Sequence, residues 1–226
     1  MTLLLYGIVR ADHPLPPGLR AVVAGDLAVV VSDIGSSAEL AAEDARAHLN
    51  VLCGLVVDGP ILPLRFGSMA PDDQAVRDSA LLPNAAAVRL ELDRLTGMVE
   101  VRVQLAFDET AALEALADTD PDLAQPITGF DAAIARGRRI ADHVKEWSRQ
   151  RSGELLGGLS TAMVRLDEPD DGTQHWALLV RHDEIHRVAE SIAAMPSTVT
   201  ATALGPLPPY AFASLPTRTP SRWGFD

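Results

Sequence analysis

The chain has 226 residues, enough for one large domain or two of about 100 each, and its 47% hydrophobic and 22% charged content is ordinary for a globular chain. A net charge of −12 excludes two broad classes: binding nucleic acid through its phosphates, and docking on anionic lipid. One cysteine, Cys53, excludes an internal disulfide and suits a reducing cytoplasm, and no apolar run reaches the roughly 18–20 residues that span a bilayer. The opening MTLLLYGIVR has neither the positive n-region nor the small-residue cleavage site of a secretory signal.

Leu3 to Val9 is a short apolar run and reads as a buried strand. A Pro-rich loop follows, then strands at Arg20–Ala24 and Leu27–Ser32 around Gly25-Asp26, a dipeptide suited to a tight hairpin with positive φ at Gly. Ser36 with Glu39 three residues on forms a capping box for a helix running to about Val57. Its apolar stripe is Ala45, Leu49, Leu52, Cys53 and Val56, with His48 beside it as a core-edge histidine bonded to backbone. Asp58-Gly59-Pro60 stops this helix. The next stretch alternates, Leu62, Leu64 and Phe66 pointing one way and Ile61, Pro63, Arg65 and Gly67 the other. Pro63 cannot donate to a ladder, so the strand belongs at an edge or a bulge. Helices are expected from Pro71-Asp72-Asp73 and from Pro83 to about Leu95, the second with Ala87, Leu90, Leu92 and Leu95 as its apolar residues.

Met98 to Phe107 alternates over its whole length, with Val99, Val101, Val103, Leu105 and Phe107 on one side and Glu100, Arg102 and Gln104 on the other. A short helix at about Glu109–Ala117, the turn-rich stretch Asp118–Thr128 and a long helix from Phe130 to about Arg151 follow. That helix is expected to turn Phe130, Ile134, Ile140, Val144 and Trp147 inward. Strands at Leu159–Leu166 and His175–Arg181 flank an acidic turn at Asp167–Gly172; a helix at Asp183–Ala194 and a strand at Thr198–Leu204 complete the order. From Met98 this is β-α-β-β-α-β, the ferredoxin-like arrangement with an elaborated first crossover. The expected fold class is therefore α+β: an N-terminal α+β domain (1–97), a ferredoxin-like domain (98–205) and a Pro-rich tail (206–226). No internal repeat stands out in the sequence.

Three separated stretches carry a resemblance: LYGIV at Leu5–Val9, His48 with its helix followed by ILPLRFGS, and GPLPPYAF at Gly205–Phe212. In this order and spacing they resemble the gas vesicle protein F/L family (GvpF/GvpL), with Ser68 where Thr is usual and Leu207 where an aromatic is common. The resemblance implies an accessory protein in assembly of gas vesicles, the gas-filled protein shells that give buoyancy. It implies binding to the small hydrophobic shell protein and to other accessory proteins, and a cytoplasmic protein associated with the vesicle. It also implies that an N-terminal α+β domain is paired with the ferredoxin-like one.

The residues themselves offer little chemistry. His182 and His186 stand at i and i+4 with Glu190 one turn on, a spacing able to hold zinc, but Asp183 occupies the place of the base in HExxH, and a solvated helix start is the simpler reading. No G-x-S-x-G elbow or phosphate loop is present, and the acid clusters sit where acids cap and solvate. We therefore expect no catalytic residue, metal or cofactor. Arg136, Arg138, Arg139, Lys145, Arg149 and Arg151 make one helix locally basic, either a solvated face or a docking surface for an acidic partner. Partner binding is assigned to Pro63, Arg65, Phe66 and Gly67, because an arginine on an apolar strand needs an acid, a carbonyl or another chain. Pro206, Pro208 and Pro209 should carry the chain out of the sheet as a stiff extended segment that presents Tyr210 and Phe212. Those two rings pack back on the N-terminal domain, fixing domain orientation, or dock a partner. The other functions open at this point are a ferredoxin-like small-ligand binder or enzyme, and a general chaperone.

Overall fold

The computed structural model describes residues 2–35, 40–119, 128–167 and 171–214. The chain divides into two compact units: one of 1–101, 179–183 and 205–226, the other of 102–178 and 184–204. The protein mixes helix with two antiparallel sheets.

The first sheet is built on β1 (Thr2–Arg10), β2 (Arg20–Ala24), β3 (Leu27–Ile34), β4 (Leu62–Pro63) and β5 (Met69–Ala70). Its order is β2-β3-β1-β4, with β5 also paired to β1. Gly25 takes φ +66 in the β2–β3 turn, the conformation its dipeptide implied. β1 is buried on both faces, which explains its unbroken apolar run. A register shift between Leu5 and Gly7 changes which residues face each side. Leu3, Leu5 and Ile8 join the main core cluster, together with Val88 and Leu92 of α3 (Ala85–Arg94). Tyr6 turns instead to α1 (Ala42–Asp58).

Several local expectations change. The Ser36–Glu39 capping box lies outside the described residues; α1 as described begins at Ala42, where the Asp44 carboxylate accepts the Ala41 N–H at 2.8 Å. The buried stripe of α1 is His48, Leu52, Leu55 and Val56, and Leu49 is exposed. The face is rotated because the His48 ring has an aromatic partner on β1. The helix opened by Asp72, whose carboxylate accepts the Ala75 N–H at 2.8 Å, is only α2 (Asp73–Val76). It passes through a wide turn and a tight turn containing Pro83 into α3, whose buried residues are Val88 and Leu92, with Leu90 exposed.

The second sheet runs β7-β8-β6-β9, from β6 (Met98–Phe107), β7 (Ala162–Arg165), β8 (Gln174–Arg181) and β9 (Val199–Leu207). Counted from the start of each half, both sheets have the order second, third, first, fourth strand. This is a topological repeat with no counterpart in the sequence. The helices here are α4 (Glu109–Thr119), α5 (Phe130–Leu156) and α6 (Ile185–Ala193). The inward stripe expected for α5 is corrected: Phe130 is 80% exposed and Ile134 is exposed, while Ser148, Ser152 and Leu156 near the C-terminal end are buried. Trp147 does turn in, meeting Phe107 edge-on at 5.2 Å. Most of the Asp118–Thr128 stretch, part of the acidic turn at 168–170 and the tail from 215 onward lie outside the described residues.

Candidate functional site

The three stretches that carry the resemblance meet in one place within the first unit. Tyr6 on β1 stacks on the His48 imidazole, centroids 4.9 Å apart and planes 16° from parallel. Its hydroxyl and that of Ser32 share a hydrogen bond of 3.2 Å. Phe66 meets the other side of His48 edge-on at 5.6 Å. His48 is 2% exposed, and its Nε2 lies 3.1 Å from the Leu64 carbonyl oxygen. Because a carbonyl only accepts, Nε2 carries the proton. Nδ1 is buried without a hydrogen-bond partner. Burial pushes the His48 pKa below 6.5, so the ring is neutral at pH 7.

The Leu64 carbonyl takes a second bond, from the Tyr210 hydroxyl at 3.0 Å. One backbone oxygen thus joins the helix, the edge strand and the C-terminal segment. The Leu64 N–H donates to the Tyr6 carbonyl at 2.8 Å, so this peptide is held on both sides.

Beyond Leu64 the strand stops. Arg65 to Ser68 form a tight turn in which the Ser68 N–H (3.1 Å) and Oγ (2.7 Å) both donate to the Arg65 carbonyl. Gly67 sits at φ +86, a region that favours glycine. The chain then returns to β1, where the Leu5 N–H donates to the Ser68 carbonyl at 2.9 Å. The alternation expected through Gly67 therefore holds only as far as Leu64. Pro63 is buried at the sheet edge opposite Gly7, Arg65 is exposed on the turn, and Phe66 is half-buried against His48.

The C-terminal segment also differs from expectation. β9 continues through Pro206 to Leu207 rather than ending before the prolines. Pro208 and Pro209 are buried, and the following residues form a compact turn, not an extended arm: the Phe212 N–H (3.1 Å) and Ala213 N–H (2.8 Å) donate to the Pro209 carbonyl. Phe212 packs on the main core cluster, and Arg94 donates to its carbonyl at 2.6 Å. Glu100, expected on the open side of β6, is 0% exposed and accepts the Ala211 N–H at 2.7 Å. Sequence reasoning missed Glu100 and Arg94, because each is defined by a backbone group more than a hundred residues away.

The hydroxyls of Ser68 and Tyr210 are given to backbone carbonyls, and the histidine has its one proton in a third such bond. The arrangement fixes the shape of an edge turn; it does not align a nucleophile with a base. Cys53 is half-buried, and burial pushes its thiol pKa up, away from thiolate. His182 lies in a tight turn ahead of α6 and His186 within it. Among the described residues no three His, Cys, Asp or Glu side chains gather as they would round a metal, and no helix is long and apolar enough to cross a membrane.

Fold and site together define a class: an α+β protein of two antiparallel sheets whose separated motifs close on one packed edge turn. Residues 2–214 match the family described as "Gas vesicle synthesis protein GvpL/GvpF". The chain belongs to this GvpL/GvpF family and has a gas-vesicle-related role. It is 30% identical to gas vesicle protein F of Streptomyces sp. (strain CB03234), covering 94% of this chain and 99% of that protein. Its fold matches the crystal structure of GvpF from Anabaena sp. PCC7120 with a TM-score of 0.78 at 22% identity, covering 96% of this chain and 99% of the other. GvpF from Microcystis aeruginosa matches with a TM-score of 0.72 at 20% identity, covering 95% and 99%.

Proposed function

We propose that this protein is a non-enzymatic accessory factor in gas vesicle assembly. It binds the hydrophobic shell protein and other accessory proteins, in the cytoplasm and on the vesicle. The observation that carries this reading is the edge turn. His48 and Tyr210 hold the Leu64 carbonyl, the Tyr6 carbonyl holds its N–H, the Tyr6 and Phe66 rings pack on His48, and the residue just beyond is the exposed Arg65. A rigid turn at a sheet edge is a recognition device, since little entropy is lost when a preformed surface docks. Shell subunits expose apolar surface before they assemble, and an acidic binder keeps such a complex dispersed.

On this reading Pro63, Arg65, Phe66 and Gly67 form the contact, and Pro206, Pro208, Pro209, Tyr210 and Phe212 hold it from behind. The chain is then an N-terminal α+β domain, a ferredoxin-like domain and a Pro-rich tail, and the strand order β7-β8-β6-β9 supports the ferredoxin-like assignment.

Capture of purified shell protein by wild type and Arg65→Ala tests the role. We expect an unchanged melting temperature and a clear loss of capture. A variant that loses the several kcal/mol expected when a buried ion pair is broken, or one that captures as wild type does, overturns the assignment of Arg65.

A further inference from the structure

β4 and β5 have two residues each, and the Arg65–Ser68 turn hangs between them at the sheet edge. So short a ladder leaves the turn to a few backbone bonds and to the stack around His48. A segment held this way opens locally, at lower free energy than the fold as a whole. His48 is also the group at this junction whose charge changes near neutral pH. Its neutral ring gives the Nε2 proton to the Leu64 carbonyl and leaves Nδ1 buried without a partner. Protonation puts an N–H and a charge on that atom, the unfavourable kind of burial. Cation–π attraction to the Tyr6 face offsets part of this penalty.

We propose that His48 is a proton-operated latch: acidification frees the 64–68 turn from α1 and β1, and releases the partner that the turn holds. The way out is Phe66, which is half-buried, so that turning it outward brings water to the imidazole. Release of the partner rests on the assembly role proposed above, whereas the latch itself does not.

From β1 the ring faces Tyr6, whose hydroxyl is bonded to Ser32 of β3; from the turn it faces Phe66, with the exposed Arg65 beside it. The C-terminal segment brings Tyr210 to the shared Leu64 carbonyl. On α1, Asp44 lies one turn back with its carboxylate on the Ala41 N–H. Burial lowers the His48 pKa and the Leu64 bond raises it, and no charged group adds to these. In the open turn the ring returns to its ordinary 6.5, so the open form binds more protons than the closed one. Opening therefore grows as the pH falls below 6.5, by at most about tenfold per pH unit for one proton. Ordinary carboxylates stay ionised above about pH 5, which leaves this window to histidine.

Hydrogen exchange of the full chain between about pH 7.5 and 5.5, corrected for the intrinsic rate of each amide, reads the latch. The Leu64 and Ser68 N–H groups report on the turn, and those of Val29 and Val30 on the β1–β3 ladder. Turn protection should lie below ladder protection and fall several-fold, up to about tenfold, across this range. The fall should vanish in His48→Gln, whose amide can still donate to Leu64, and persist in His13→Gln, at the far end of α1 beside Asp58. Equal protection of turn and ladder, a turn indifferent to pH, or a response that survives His48→Gln overturns the latch. Should His48→Gln not fold, NMR of the wild type decides. The Tyr6–His48 ring contacts should fade as His48 protonates, and contacts that persist in the charged form overturn the latch. Shell-protein capture should weaken with acid in wild type and not in His48→Gln; capture that ignores pH while the turn opens overturns its control of the partner. Exchange needs no partner, so absence of capture at neutral pH counts against the assembly role alone.

Discussion

Gly7 lies in the middle of the buried strand β1, directly opposite Pro63. A Cβ built on it would stand 2.7 Å from Ile61 Cδ1, 2.9 Å from Ile61 Cγ1 and 2.9 Å from the Leu62 carbonyl oxygen. The Ile61 tip can rotate away, but the Leu62 oxygen moves only if β4 moves. β4 is fixed by the Leu64 N–H bond to Tyr6 and by the two bonds onto the Leu64 carbonyl. Gly7→Ala should therefore lie at the upper end of the about 1–3 kcal/mol that overpacking costs. For a chain of this size each kcal/mol moves the melting temperature by about 2–4 °C, so a fall of roughly 5–10 °C is expected by calorimetry. Gly54 in α1 supplies the control: nothing lies within 4 Å of its Cβ position, and its φ is not positive. There alanine should stabilise by about 0.5–1 kcal/mol through helix propensity and a less flexible unfolded chain. Two glycine-to-alanine changes should thus shift stability in opposite directions. A Gly7→Ala protein that melts within a degree of wild type refutes the close approach of β4 to β1.

Further outcomes follow from the same junction. Tyr210→Phe keeps the ring and removes one donor, while His48 continues to satisfy the Leu64 carbonyl; the loss should be about 1 kcal/mol, and combining it with His48→Gln should be non-additive in a double-mutant cycle, because both donors share one acceptor. A strictly additive pair would count against the shared carbonyl. Burial depresses the pKa of both His48 and His13 below 6.5. The unfolded chain then binds more protons than the folded one below that value, so stability is complete above pH 6.5 and falls as the pH drops toward the depressed values. Thermal melts between pH 7.5 and 5 should show this slope, and it should be shallower in His48→Gln; equal slopes would mean that His48 does not titrate into an unfavourable site.

Local pattern was enough for some of this protein. Gly25-Asp26 gave its hairpin, the alternation of Val99 to Leu105 gave the buried face of β6, and Pro63 pointed to a sheet edge. These depend on φ, ψ and period, which neighbouring residues dictate. The buried stripe of α1 is rotated from the one hydropathy implies, since hydropathy ranks Leu49 above His48, and the Tyr6 and Phe66 rings with the Leu64 carbonyl, all brought by the tertiary fold, make the histidine the better residue to bury. Glu100 fell on a polar position of its strand, and reads as solvent-facing until the turn after Leu207 brings the Ala211 N–H to its carboxylate. The centre of the site, the Leu64 carbonyl, has no signature at all. Every residue carries such an oxygen, and this one becomes special because chain segments far apart in sequence, at His48 and Tyr210, each bring a donor to it.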